Sequence, residues 1–318
     1  MFLPILNKMI FLFAFIILGF ILSKWKFIPD NSATVLSKLE NIIFVPALVM
    51  GTFITNCNPN TIINYWKPLV LGFALVLVLI PISIFSSRLC FKQAYLRKIT
   101  TYGLAFANFA FMGNAIMEGV FGSEVFSYYV VFTLPMWFLI YLWGAPVLLI
   151  SDDKQKGIKS RLKSFLNPML IAMFIGIIIG LTGLGRYFPS SVMNVIDVSG
   201  DCMSPIAMLL TGITIGKIDL LAFIKKWRIY IAAVVKLLVY PLLFIAVFAF
   251  IPANSFIDET MLKCAMCVMC MPMGLNTIVI PAAYGKDTTD AAGMALITHA
   301  LSVGTIPLMF WLFQLLCI

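Results

Sequence analysis

Ten runs of mostly apolar residues follow one another along the chain, near 5–23, 35–55, 67–87, 99–121, 125–150, 167–185, 192–215, 228–251, 260–284 and 291–316. An α-helix rises about 1.5 Å per residue, so about 20 residues cross the ~30 Å hydrocarbon core of a bilayer. Only helices and closed barrels satisfy every backbone polar group in lipid. The expected fold is therefore an all-α integral membrane protein of about ten transmembrane helices. Composition agrees, with 62% hydrophobic and 11% charged residues and a mean hydropathy of +1.05. A soluble domain of this length exposes far more polar surface. Lys8 before the apolar run Met9–Leu22 resembles the start of a signal peptide. Ser23-Lys24-Trp25-Lys26 follows without a small-residue cleavage pattern, so a retained first helix is expected.

The formal net charge of +9 takes its meaning from where the charges fall. Lys24, Lys26, Lys38, Arg88, Lys92, Arg97, Lys98, Lys154, Lys156, Lys159, Arg161, Lys163, Lys217, Lys225, Lys226, Arg228 and Lys286 sort to one side of the membrane. The other side receives Lys8, Lys67, Arg186 and Lys263. Such a bias is a topology signal rather than a nucleic-acid footprint. It puts the basic loops in the cytoplasm and both termini outside the cell membrane.

The two halves resemble each other. Gly19, Phe27-Ile28-Pro29 and Pro46-Ala47-Leu48-Val49-Met50-Gly51 match Gly180, Tyr187-Phe188-Pro189 and Pro205-Ile206-Ala207-Met208-Leu209-Leu210-Thr211-Gly212. Trp66, Pro81 and Met112-Gly113 match Trp227, Pro241 and Met273-Gly274. A nearly constant offset is what duplication predicts. Residues 1–150 and 167–318 would be the two copies, joined by a basic cytoplasmic linker at 151–166. An odd helix count per copy turns the second one upside down, giving the inverted-topology repeat of secondary transporters.

In such repeats the solute site falls at midplane, where matching helices are interrupted. Helices four and nine are the candidates. The fourth contains Asn108-Phe109-Ala110-Phe111-Met112-Gly113-Asn114-Ala115. The ninth contains Pro272-Met273-Gly274-Leu275-Asn276 and Pro281. Gly and Asn are poor helix formers and Pro breaks the hydrogen-bond ladder. Backbone groups freed this way are tolerated only against protein or a water-filled cavity, where they and the Asn side chains can hold an anion or a coupling ion. A kinked packing helix is the plainer reading of either string alone.

The string Asn108 to Gly122 resembles the N-x-x-[FV]-[ML]-G-x-P-x-x-x-x-x-[FY]-G motif of the auxin efflux carrier family. Asn167-Pro168, the Pro205–Gly212 string, Lys236 through Pro241, Pro272-x-Gly274-x-Asn276 and Tyr284-Gly285 fit in the same order. Two positions depart from the pattern. Ala115, preceded by Asn114, replaces the motif proline, and Thr298-His299-Ala300-Leu301-Ser302 stands where Ser-Thr-Leu-x-Ser is commoner. The resemblance implies a scaffold bundle and a transport bundle, crossing broken helices, elevator-type alternating access and a small carboxylate as solute. A bacterial malate-permease-like member is the expectation.

The residues expected to bind substrate are Asn108, Gly113, Asn114, Pro272, Gly274 and Asn276, with Pro46 and Pro205 as neighbours. Ionisable groups inside a membrane are costly and suggest function. Lys236 lies about 12 Å past Arg228 at 1.5 Å per residue. It could attract a carboxylate, hold Asp197 or Asp201, or snorkel to the interface. Asp197 and Asp201 share a face at i, i+4 and are either protonatable gates or solvated. His299 could carry a proton or be a packed, hydrogen-bonded ring. Glu118, Glu40 and Lys38 read as interfacial. Cys264, Cys267 and Cys270 have a metal-like spacing but lie in an apolar helix, so packing is expected and no metal or cofactor. Gly176-x3-Gly180 reads as helix packing.

The expected function is secondary transport of a small organic anion, coupled to H+ or Na+. A bile-acid-type Na+ symporter shares the architecture and is the alternative. An enzyme would need clustered His, Asp or Glu, or a nucleophile with its base, which this chain lacks. A receptor would not need an inverted repeat. A homodimer through the scaffold is left open.

Overall fold

A computed structural model describes residues 2–150, 168–217, 226–250, 257–283 and 286–318. The linker at 151–166, Asn167, Lys225 and Tyr284-Gly285 lie outside the described residues. The described chain is helical throughout, apart from one isolated antiparallel bridge between Ala107 and Met273. The helices are α1 (Phe2–Lys24), α2 (Ser32–Asn56), α3 (Pro59–Cys90), α4 (Ala94–Ala105), α5 (Phe109–Leu149), α6 (Pro168–Thr182), α7 (Ser190–Gly216), α8 (Trp227–Phe248), α9 (Glu259–Cys270), α10 (Asn276–Ala283) and α11 (Thr289–Cys317). Among the described residues, α1, α2, α3, α5, α7, α8 and α11 are each long and apolar enough to cross a bilayer. The protein is thus an all-helical, multi-pass membrane protein. α5 is 41 residues long but bends at Gly122, whose φ of +86° suits a residue without Cβ. That bend falls between the expected runs at 99–121 and 125–150.

The outward faces carry the apolar side chains that lipid requires. Leu77, Phe85 and Leu89 on α3 and Ile178 on α6 are all more than half exposed. Inside, proline shapes the helices. A proline ring removes one N–H and crowds the carbonyl four residues back. π-Helical turns at Glu40–Phe44 and Val235–Val239 directly precede Pro46 and Pro241 and widen the helix there.

The tightest packing is reciprocal. α1 lies along the Met203–Gly216 part of α7, and α6 lies along the Val45–Asn56 part of α2. Glycines let the backbones meet. A Cβ at Gly19 would fall on the Leu209 carbonyl oxygen, and one at Gly212 on that of Ile16. In the other pair, a Cβ at Gly180 would lie 2.6 Å from the carbonyl oxygens of Phe53 and Cys57. Gly176 and Gly180 thus act in packing, as their spacing predicts.

Loops gather at two ends. At one, the Lys217 ammonium meets the Asp30 carbonyl, Lys226 pairs with Asp290 at 2.5 Å, and the Tyr95 hydroxyl donates to the Asp287 carbonyl. At the other, Lys8 crowds Gly119, Lys263 pairs with Glu259 and lies over the Phe121 ring, and Tyr65 donates to Ser127.

Candidate functional site

Two interruptions in the helices meet deep in the protein. α4 ends at Ala105 and α5 begins at Phe109; α9 ends at Cys270 and α10 begins at Asn276. Between them the chain is extended enough for strand-like pairing. The Asn108 backbone nitrogen donates to the Pro272 carbonyl at 2.8 Å, and Ala107 bridges Met273. The Met273 backbone nitrogen donates to the Thr298 hydroxyl of α11 at 3.2 Å. Groups orphaned by the two breaks are therefore satisfied by one another and by α11, as buried backbone demands.

The first non-helical segment lies in a different register from the one expected. The fourth-helix break was expected across Asn108–Ala115, with Met112-Gly113 equivalent to Met273-Gly274. The break lies at 106–108, and Phe109–Gly113 is already a π-helical turn that runs on into α5. Met273-Gly274 lies inside the second break. Asn108 at the first break removes the need for Gly113 to unwind. The π-turn, widened by one residue, lets the Gly113 nitrogen donate to the Asn108 carbonyl at 3.1 Å. Gly113 has a steric role instead. The Tyr129 hydroxyl occupies the place a Cβ would take and donates to the Phe109 carbonyl at 3.0 Å.

A cavity of about 840 Å³ reaches this junction. Its lining includes Phe106–Phe111 and Trp137, Gly274, Leu275 and Asn276. Its mouth lies among Thr34, Ser37, Lys38, Asn41, Thr214, Lys217 and Thr288, at the basic end. Among the described residues, the lining holds two lysines and no carboxylate. The volume suits a small solute. The first turns of α5 and α10 face it, and helix N-termini carry partial positive charge and free N–H groups.

Of the expected site residues, Asn108, Gly274 and Asn276 line this cavity, and Pro272 stands behind Asn108 through its carbonyl. Gly113, Asn114, Pro46 and Pro205 are not among the lining residues. Asn114 is buried behind Asn108, and Pro46 is buried within α2. Asp197 and Asp201 are elsewhere. They are exposed beside a cavity of about 230 Å³ shared with Thr52, Glu118 and Ser123 at the opposite end.

Lys236 is fully buried and neither snorkels nor meets Asp197 or Asp201. Its ammonium donates to the carbonyls of Leu104 at 3.4 Å and Val268 at 3.3 Å. These carbonyls belong to the last turns of α4 and α9, the electronegative ends of both interrupted helices. One cation thus sits across two helix C-termini and leaves the two N-termini to the cavity.

Three features escaped the sequence. Asn276 Nδ2 donates to the Tyr102 hydroxyl at 3.2 Å, and nothing but helical spacing could have singled out that tyrosine. Asn108 Nδ2 lies 3.0 Å from His299 Nε2, a pairing flagged only by the unusual tenth-helix string. Glu40 is fully buried rather than interfacial, and neither carboxylate oxygen has a hydrogen-bond partner among the described residues. The π-turn ahead of Pro46 rotates it inward, which a regular helical count does not foresee.

An all-helical membrane protein with a solute-sized cavity ending at paired helix breaks belongs to the class of membrane transporters. The profile of the membrane transport protein family matches residues 4–310, and the chain belongs to that family, the auxin efflux carriers. It is a transporter family rather than an enzyme family. A search of curated proteins returns no match to the chain.

Proposed function

We propose that this protein carries a small organic anion, a malate-like or other carboxylate, by elevator-type alternating access. The observation that carries this reading is the cavity ending at Asn108 and Asn276, with lysines and no carboxylates among the described residues of its lining. A carboxylate there would meet two carboxamides and the N-terminal turns of α5 and α10. Hydrogen bonds to an ionised group are worth ~1.5–3 kcal/mol each, enough to select an anion from water.

The internal duplication is part of this reading. Taking α4 with the start of α5, and α9 with α10, as single broken spans, and dividing α5 at Gly122, gives ten spans in two copies. They fall in 1–150 and 167–318, inverted relative to one another. The reciprocal packing favours this arrangement: α1 against α7 and α6 against α2 exchange equivalent spans, with Gly19 and Gly180 each at a close backbone approach. The basic end would face the cytoplasm and the termini the outside, so the cavity would be inward-open.

A thermal-shift screen of the purified protein against carboxylates, indole acids and bile acids, with and without Na+, tests the reading. Stabilisation by a carboxylate is expected. Stabilisation only by cationic or neutral solutes would overturn it, and strict Na+ dependence with bile acids would move the protein to the symporter alternative.

A further inference from the structure

We infer that His299 is the positioning residue of the solute site and makes anion binding proton-linked, by setting which end of the Asn108 carboxamide faces the cavity. The inference rests on the carboxylate-site reading above and names its coupling ion.

The far side of the His299 ring fixes its tautomer. His299 Nδ1 lies 2.7 Å from the Ala295 carbonyl oxygen, which can only accept. Nδ1 therefore carries a hydrogen and donates it. In the neutral ring Nε2 is then a lone pair, and its neighbour at 3.0 Å, Asn108 Nδ2, donates to it. Asn108 has one N–H engaged and offers the cavity its oxygen and one remaining N–H. That oxygen repels a carboxylate.

A proton from the medium that binds the Nε2 lone pair makes both ring nitrogens donors. Asn108 must then turn by half a rotation and accept with Oδ1. Both N–H groups are released toward the cavity, and no bond in the solute is made or broken. The same carboxamide thus presents an acceptor when His299 is neutral and two donors when it is charged. The imidazolium adds positive charge beside the anion. Asn276 needs no such control, because its partner, the Tyr102 hydroxyl, both donates and accepts.

The groups around α11 leave this role to His299. Buried titratable groups on the packed elements are Tyr102 on α4, Lys236 and Tyr240 on α8, and Cys264, Cys267 and Cys270 on α9; α10 has none. Lys236 is engaged with the two helix-end carbonyls. Tyr95, Arg97, Lys98, Arg228, Tyr230, Glu259 and Lys263 lie toward the ends of those helices, as do Lys8 and Lys24 on α1 and Asp290 on α11. Among the described residues, no carboxylate lines the cavity to compete for the proton.

The test is calorimetric. Lactate, malate, succinate and indole acetate are titrated into the detergent-solubilised wild type between about pH 5 and about pH 8, in two buffers of different ionisation enthalpy, with each ligand's own ionisation subtracted. Uptake of one proton per anion is expected, with affinity rising about tenfold per pH unit of acidification inside the titration window. The His299→Gln variant, which cannot ionise, is expected to keep the weak high-pH affinity at every pH and to take up no proton. A wild type that binds a carboxylate without proton uptake overturns the inference and leaves the anion site standing. Equal uptake by wild type and His299→Gln removes His299 from the role. If no carboxylate binds at any pH, the anion reading itself fails and this inference with it. If His299→Gln does not fold, His299→Asn, which also cannot ionise, is titrated in its place and read in the same way.

Discussion

The Asn108 backbone nitrogen donates to the Pro272 carbonyl oxygen at 2.8 Å, so two non-helical segments, each between two helices and 164 residues apart in sequence, hold each other. Neither break could stand alone in lipid, because each leaves backbone groups that hydrocarbon cannot satisfy. Paired, they make a rigid frame for Asn108 and Asn276 at the blind end of the cavity.

Lys236→Met is expected to loosen the frame from behind. The ammonium donates to both helix-end carbonyls, and hydrogen bonds to charged groups contribute ~1.5–3 kcal/mol. Thermal unfolding in detergent should fall by several degrees and transport should be lost. A variant as stable and active as wild type would show that the helix ends need no cation.

Gly113→Ala is expected to drive the Tyr129 hydroxyl off the Phe109 carbonyl. Overpacking of this kind costs ~1–3 kcal/mol. Adding Tyr129→Phe removes the clashing oxygen and should recover part of the stability. Thermal melts of the single and double variants decide the matter, and additivity of the two losses would contradict it.

Glu40→Met is expected to stabilise the protein, by ~1–3 kcal/mol, because it removes a buried polar group that has no hydrogen-bond partner among the described residues, at nearly constant volume. The readout is again the unfolding midpoint, set beside transport. Greater stability with lost transport would mark Glu40 as functional.

Gly212→Val is expected to force α1 away from α7, since its side chain would enter the Ile16 carbonyl. Expression of folded protein should collapse, measured by size-exclusion profile in detergent. A monodisperse, full-yield variant would mean that the two helices do not meet as described.

Much of the fold was legible in the sequence because lipid imposes one rule on long stretches of chain. The expected runs and the helices agree to within a few residues at Phe2–Lys24, Ser190–Gly216 and Thr289–Cys317. The residues expected at the site divide by register. Asn108, Gly274 and Asn276 line the cavity, whereas Gly113 and Asn114 do not. Gly and Asn lower helix propensity wherever they stand, and tertiary pairing decides which of them the chain leaves unwound. Glu40 and Lys236 show the same limit. Each lies in a π-turn ahead of a proline, where the extra residue per turn rotates the side chain away from its regular helical position. The partners of Lys236 and His299 were beyond reach because they are backbone carbonyls and a carboxamide, which leave no mark in a charge pattern.

Flux in proteoliposomes tests the central proposal most directly. Purified wild type and Asn276→Ala are reconstituted side by side, and exchange of a labelled carboxylate, chosen from the binding panel, is followed across the vesicle wall. Asn276 lines the cavity and donates to the Tyr102 hydroxyl, so its loss should remove solute contacts without unfolding the bundle. The expected result is carboxylate exchange by wild type and a loss of about tenfold or more in the variant, with an unchanged size-exclusion profile. Equal flux through both proteins would contradict the placement of the solute at the paired breaks.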